Sequence, residues 1–430
     1  MTSQEENGQS ISADEIALYD RQIRLWGVKA QEKLRSSKIL LITFKALANE
    51  VAKNLVLAGI GSLTILDHET VTEEDLGSQF FVSAEHIGQN RAQAAYPQLH
   101  AMNPRVQLHA DTDDVRTKPP EYFAGFDVVI ATELDYATCT TINAACRIAN
   151  RPFYAGGLHG MYGYVFADLI SHEFVIEREK PNVAPPTQET PTRTVLHITT
   201  RRETTNPNTN NDSSSTKERI IEVVTKREVY SPLLLANTSP LPEEYTRIPR
   251  RRRQVTPLLS CLRALWEFQR TSPTGATAPS YSSRPDLELF TMLVHERHKE
   301  LLLDTSALSA EFLRRFLDNI GLQLAPVAAF LGGHLAQDVI NVRSGREQPL
   351  QNMLLFDGDR GVAPIYPLHP IFSPQIESLA SSQQQQQQQP QQQQHVGMNN
   401  AGLGATQSLP LGQPAPASVP ATTTHTTPTS

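Results

Sequence analysis

The feature that most constrains this chain is the apolar run Ile39-Leu40-Leu41-Ile42, which leads through a short loop into a helical stripe. Four consecutive large aliphatic residues predict a buried strand. Leu47, Val51 and Leu55 recur every fourth residue and predict a helix with one apolar face. Gly59 and Gly61 end that helix, and Leu63-Thr64-Ile65-Leu66 supplies a second strand, closing a β-α-β unit. Further strand candidates fall at 106–109, 127–131 and 152–154, with a helix over 137–149 between the last two. Strands alternating with helices predict an α/β fold, a mostly parallel sheet flanked by helices.

The loop inside this unit is unusual. Folds that hold a dinucleotide or ATP place glycines at this turn, so that phosphate oxygens can approach backbone N–H groups at the helix N-terminus. Here Thr43, Ala46 and Ala48 stand where those glycines are expected. A Cβ takes up the space of a phosphate, and alanine does not freely adopt positive φ. Glu50, a little further into the helix, is placed to repel an anion. Asp67 ends the second strand about 24 residues after Thr43, near the ~20 expected of an acid that hydrogen-bonds a ribose. An α/β domain that never bound nucleotide and a nucleotide fold that has lost its site both fit these residues.

Composition narrows the alternatives. A formal net charge of −7 argues against nucleic-acid binding by bulk charge. Cys139, Cys146 and Cys261 form no Cys-x-x-Cys pair and no disulfide framework, which fits a reducing compartment. Cys139 and Cys146 fall on one predicted helix and Cys261 on another, and all three read as small buried apolar residues. No run approaches the ~18 apolar residues of a membrane helix, and the N-terminus has no signal-peptide pattern. A protein of the cell interior is expected.

A hydrophobic fraction of only 39% with 30 prolines implies that folded stretches alternate with unfolded ones. The chain divides into a disordered 1–12, a first α/β part at 13–180, and an insert at 181–218 too polar to fold. A helical region at 219–315, a returning helix and closing strand at 316–370, and a tail at 371–430 follow. The glutamine tract at 383–394 marks that tail as low complexity. Arg250, Arg251, Arg252 and Arg253 make a basic run that reads equally as a nuclear localisation signal or a solvated cluster on a loop.

Before the first strand stands Tyr19-Asp20-Arg21-Gln22-Ile23-Arg24-Leu25-Trp26-Gly27. After it come Gln79-Phe80-Phe81, an HIGQNRA run at 86–92, Asn103-Pro104, the GYVFADL strand at 163–169, Ala325-Pro326-Val327 and Phe356-Asp357-Gly358. In this order the chain resembles the adenylation domains of activating enzymes for ubiquitin-like modifiers, over about 14–180 and 220–368. Within them it is most similar to the smaller, non-cysteine subunit of the heterodimeric SUMO-activating type.

The resemblance implies a Rossmann-like adenylation fold of the ThiF/MoeB kind with a helical insertion. It also implies an obligate heterodimer in which one partner holds ATP and Mg and forms the thioester. Asp75, Ser78 and Arg91 match the positions where an active half carries an Asn, an Arg and a Lys; Asp75 has the wrong charge and Ser78 is too short. The resemblance therefore implies the inactive half, binding no cofactor or metal itself. Arg21 matches an arginine that reaches in trans toward the phosphates in the partner's site, with Arg24 a weaker candidate. Leu25 and Trp26 are expected to pack this helix down, and nuclear localisation follows from the SUMO resemblance. Three alternatives stay open: the equivalent subunit for another modifier, an independent homodimeric adenylating enzyme, and a dinucleotide-binding protein.

Overall fold

In the computed structural model, residues 12–181, 186–204, 218–273 and 275–370 are described. Three short helices open the chain: α1 (Ala13–Leu18), α2 (Asp20–Trp26) and α3 (Val28–Arg35). Ser12 caps α1 through a capping box with Glu15, satisfying N–H groups that the first turn leaves without partners. The predicted β-α-β unit follows as β1 (Lys38–Ile42), α4 (Ala46–Ala58) and β2 (Ser62–Leu66). Helix α4 ends where expected, because Gly59 takes the left-handed conformation that closes its last turn.

Helix α5 (Arg91–Met102), β3 (Gln107–Asp111), β4 (Val128–Thr132), α6 (Tyr136–Ile148), β5 (Phe153–His159) and β6 (Tyr162–Asp168) continue the pattern. The strands of the return are β11 (Met353–Asp357) and β12 (Ile365–Tyr366). Together they form an eight-stranded sheet of order β12-β11-β6-β5-β4-β1-β2-β3. Strands β3, β2, β1, β4 and β5 run parallel, and β6, β11 and β12 join antiparallel. β1 lies between β2 and β4, so the strand order reverses there. In open α/β sheets the ligand crevice opens at that reversal, beyond the C-terminal strand ends.

The alternating side chains of the central strands feed two cores. Ile39, Leu41, Ile65 and Ile130 meet α4, α5 and the long α13 (Ala325–Ser344) on one face. Leu40, Ile42, Val129 and Phe153 meet α6, α10 (Leu258–Thr271), α11 (Arg284–Glu300) and α12 (Ala310–Asn319) on the other. Gly332 lets α13 approach α4 closely: a Cβ there would lie 2.5 Å from Glu50 Cβ. Glu50 therefore faces α13 and pairs with Lys53, instead of guarding the loop as the sequence suggests.

Two stretches differ from the sequence reading. Within 181–218, expected to be unfolded, β8 (Gln188–Thr190) and β9 (Arg193–Thr204) join β7 (Ser171–Glu179) and β10 (Glu218–Val229) in a four-stranded antiparallel sheet of order β7-β10-β9-β8. Val195, Ile198, Thr199 and Thr200 suit a strand, and ion pairs such as Arg201 on β9 with Glu177 on β7, across β10, lie on the exposed surface of this sheet. The remainder of that insert (182–185 and 205–217), residues 1–11 and the tail from 371 lie outside the described residues. The region 219–315, expected to be helical, opens instead with the strand β10 and is helical from α7 onward. After β10 it forms α7 (Leu233–Thr238), α8 (Glu243–Arg247), α9 (Pro249–Gln254), α10 and α11, and its apolar residues belong to the second core of the sheet. The four arginines lie on helix α9 rather than on a loop. Among the described residues no helix is long and apolar enough to cross a membrane.

Candidate functional site

At the strand-order reversal, the loop after β1 keeps a glycine-like backbone without the glycine. Thr43 has φ of 63°, a conformation that costs a β-branched residue ~1–3 kcal/mol. It is held there by Thr132 at the end of β4, whose Oγ1 donates to Thr43 O at 2.7 Å and to Ile42 O at 3.1 Å. Thr132 thus ties the loop after β1 to the end of the neighbouring strand β4. Ala46 and Ala48 are buried in the first turn of α4, and their methyl groups belong to the core.

Phe44 and Arg91 meet at Asp67. Phe44 is fully buried and its ring lies against Phe81; its N–H donates to Asp67 Oδ2 at 2.7 Å. Asp67 sits at the end of β2 as predicted, but every oxygen is engaged: Oδ1 accepts from Glu69 N at 2.9 Å, and Oδ2 lies 2.9 Å from Arg91 Nε. Arg91, in the first turn of α5, is 1% exposed. Its guanidinium also pairs with Asp75 Oδ1 at 3.4 Å and closely with Glu69. Burial works against its charge, yet Asp67, Asp75 and Glu69 outweigh that and raise its pKa. For Glu69 burial is likewise overcome, by the hydrogen bond and charge of Arg91, and its pKa falls.

Asp75 was expected at a phosphate-facing position. It is buried in a short 3-10 turn instead, accepting from Thr72 N at 2.9 Å and Gln79 Nε2 at 2.5 Å. Ser78 ends that turn, its N–H on Asp75 O. The sequence reading placed Asp67, Asp75 and Arg91 separately; the structure gathers the two carboxylates, with Glu69, around the one Arg91 guanidinium. It missed the parts of Phe44, Glu69 and Thr132, for which no motif gives a signal. These residues are a poor fit to a nucleotide: Asp67 is already engaged by Phe44 N–H, Glu69 N–H and Arg91, and Thr43, Ala46 and Ala48 carry side chains where a phosphate loop carries glycine. Among the described residues, no group of three or more His, Cys, Asp or Glu is arranged to hold a metal ion.

All three cysteines are free and buried. Burial pushes the Cys146 thiol up to about 12, and raises those of Cys139 and Cys261 as well. A nucleophile needs the thiolate, so none is suited to thioester chemistry.

A second set of residues faces outward. Tyr19, at the N-cap of α2, and Gln22 and Trp26 on the helix turn toward the body of the protein. Gln22 Nε2 donates to Leu57 O at 3.2 Å, and Trp26 Nε1 to Gln31 Oε1 at 2.9 Å. Arg21, Arg24 and Leu25 lie on the other side, exposed. Asp20 pairs with Arg24 at 2.8 Å, leaving Arg21 without an ion pair among the described residues. Leu25 is 76% exposed and does not pack the helix down as expected; Trp26 does. Beside it, Gln22, Trp26, Asn54, Leu57, Gly333 and Gln337 border a surface cleft of about 260 Å³.

A family model described as the ThiF family matches residues 19–369. The chain belongs to the ThiF family. Among its relatives, the chain is 38% identical over 353 residues to the DNA damage tolerance protein RHC31 of Saccharomyces cerevisiae, covering 81% of this chain and 96% of that protein. It is 36% identical over 359 residues to the DNA damage tolerance protein rad31 of Schizosaccharomyces pombe, covering 84% and 99%. It is 34% identical over 365 residues to SUMO-activating enzyme subunit 1 of Homo sapiens, covering 84% and 97%. The fold expected from the sequence, a ThiF-like α/β domain with a mostly parallel sheet flanked by helices, is therefore the fold of this family member.

Proposed function

We propose that this chain is the catalytically incomplete subunit of a heterodimeric SUMO-activating enzyme. The observation that carries the reading is a division of labour on one molecule. Asp67, the acid at the end of β2, is taken up by Phe44 N–H and Arg91, while Arg21 stands exposed on α2. The similarity to SUMO-activating enzyme subunit 1 over nearly that protein's full length supports the choice of modifier.

In this reading ATP and Mg are held by the catalytic large subunit, where the SUMO carboxylate becomes an acyl-adenylate with release of pyrophosphate. The large subunit's cysteine then takes the acyl group as a thioester. Arg21 contributes in trans a permanent charge with a planar fork of donors, suited to charge that builds up as pyrophosphate leaves. Arg24, already paired with Asp20, contributes less. Exposed Leu25 on α2 and exposed Leu57, which lines the cleft, support an apolar contact with the partner. Purified alone, the chain supports no ATP–pyrophosphate exchange in the presence of SUMO. Added to a candidate large subunit, it co-purifies and supports exchange and thioester formation. Exchange by the chain alone would make it an independent enzyme and reject the reading.

The basic helix α9 serves in the same reading as a nuclear localisation signal, supported by the exposure of Arg250, Arg251 and Arg253. A fluorescent fusion with all four arginines changed to alanine loses nuclear accumulation; an unchanged distribution refutes this role.

A further inference from the structure

We infer that Tyr19 and Asn103 are positioning residues that fix Arg21 for its work in trans, an inference that rests on the function proposed above. Arg21 itself is exposed and without an ion pair among the described residues, so nothing at its own head group orients it. Orientation has to come from the mount of α2. That helix is only seven residues long, too short to hold its shape or direction unaided.

The mount is a polar lock, 6% exposed at Asn103 and 7% at Tyr19. Asn103, at the C-terminal end of α5, donates through Nδ2 to Tyr19 Oη at 2.8 Å and to Val56 O at 2.9 Å. Its Oδ1 accepts from Arg105 N at 3.3 Å, so each polar atom of the amide is engaged. Tyr19 precedes α2 directly, and its ring lies over Gly59, where a Cβ would come within 2.5 Å of Tyr19 Cζ. The start of α2 is thereby tied to the ends of both α4 and α5, two residues before Arg21. Gln22 on Leu57 O fixes the helix's rotation. Because only the side chain of Tyr19 intervenes between Asn103 and α2, loss of the Asn103 amide acts on the arginine's direction without touching the partner's site. Positioning errors of this kind are costly: a shift near 1 Å can lower a rate by ~10²-fold.

The test uses the heterodimer with its large subunit, ATP and SUMO, and follows ATP–pyrophosphate exchange. Asn103→Ala lowers the exchange rate by about 5- to 20-fold at saturating ATP and SUMO, and Tyr19→Phe, which keeps the ring on Gly59, by about 2- to 5-fold. In an Arg21→Ala background neither change costs a further factor above about 2, because the residue they act through is gone. Tyr19→Phe guards against a failure of Asn103→Ala to fold. Full losses repeated in the Arg21→Ala background would mark a structural role and overturn the inference, as would unchanged exchange for both single variants. If Arg21→Ala alone leaves exchange unchanged, the trans-acting arginine itself fails and the inference falls with it. If Arg21→Ala impairs exchange while Asn103→Ala and Tyr19→Phe do not, only the positioning inference falls.

Discussion

Arg91 Nε lies 2.9 Å from Asp67 Oδ2, and the two side chains are 2% and 1% exposed. In a working nucleotide fold the acid at the end of the second strand keeps its oxygens for a ribose. Here an arginine from the next helix takes them, with Asp75 and Glu69 sharing the charge.

Removing that arginine leaves Asp67 and Asp75 buried without a counter-charge. Breaking a buried ion pair from one side costs ~3–5 kcal/mol. Arg91→Ala accordingly lowers the urea midpoint by that equivalent, and Arg91→Lys, which keeps the charge but not the fork, falls between it and wild type. Equal stability of all three would mean the cluster contributes nothing to the fold.

Restoring glycines does not restore a nucleotide site. The triple variant Thr43→Gly, Ala46→Gly, Ala48→Gly leaves Asp67 engaged by Phe44 N–H and Arg91, so titration calorimetry shows no ATP binding. Ala46→Gly and Ala48→Gly each cost ~1 kcal/mol as helix positions. Thr43→Gly stays within about 1 kcal/mol of wild type, because relief of a positive φ offsets the glycine's chain entropy.

The β1-α4-β2 unit, the mostly parallel sheet and the returning C-terminal helix are legible in the sequence, because burial writes periodicity into strands and helices directly. The loss of glycines is legible too. What replaces them is not: Arg91 meets Asp67 and Asp75 only after α5 folds back, and no local pattern encodes that meeting. Phe44 reads as one more apolar residue until its N–H is seen on Asp67. The β9 ribbon escaped notice because Thr194, Thr199, Thr200 and Arg201 are polar on surfaces that, in a solvent-facing sheet, have no core to reveal them. Leu25 shows the reverse failure, an apolar residue in a signature helix that faces outward.

Asp338 carries a pH signature that can be isolated. Burial pushes its carboxyl up to about 6, despite hydrogen bonds from Tyr154 Oη and Leu350 N, each at 2.7 Å. In the unfolded chain it titrates near ~3.9, so between these values the folded state holds the extra proton and stability falls as pH rises. Asp338→Asn can accept from Leu350 N and donate to Tyr154 Oη without titrating. Its thermal midpoint relative to wild type therefore rises between pH 5 and pH 8 by the equivalent of about 1–1.5 kcal/mol, the rest of the effect falling below pH 5. A difference independent of pH would show that Asp338 is not the titrating group.

The cysteines are expected to stay silent. With all three buried and their thiols pushed up, native protein at pH 8 resists iodoacetamide for hours while urea-unfolded protein is labelled three times. Rapid labelling of one cysteine in the folded heterodimer would point to a reactive thiol on this chain.

The central claim is that this subunit serves its partner's ATP through Arg21, and single-turnover SUMO-adenylate formation by the reconstituted heterodimer tests it most directly. Arg21→Ala should still co-purify with the large subunit, yet form adenylate about 10²–10³-fold more slowly, the loss expected on removing one preorganised donor. Adenylation at the wild-type rate by an intact Arg21→Ala heterodimer would contradict the account.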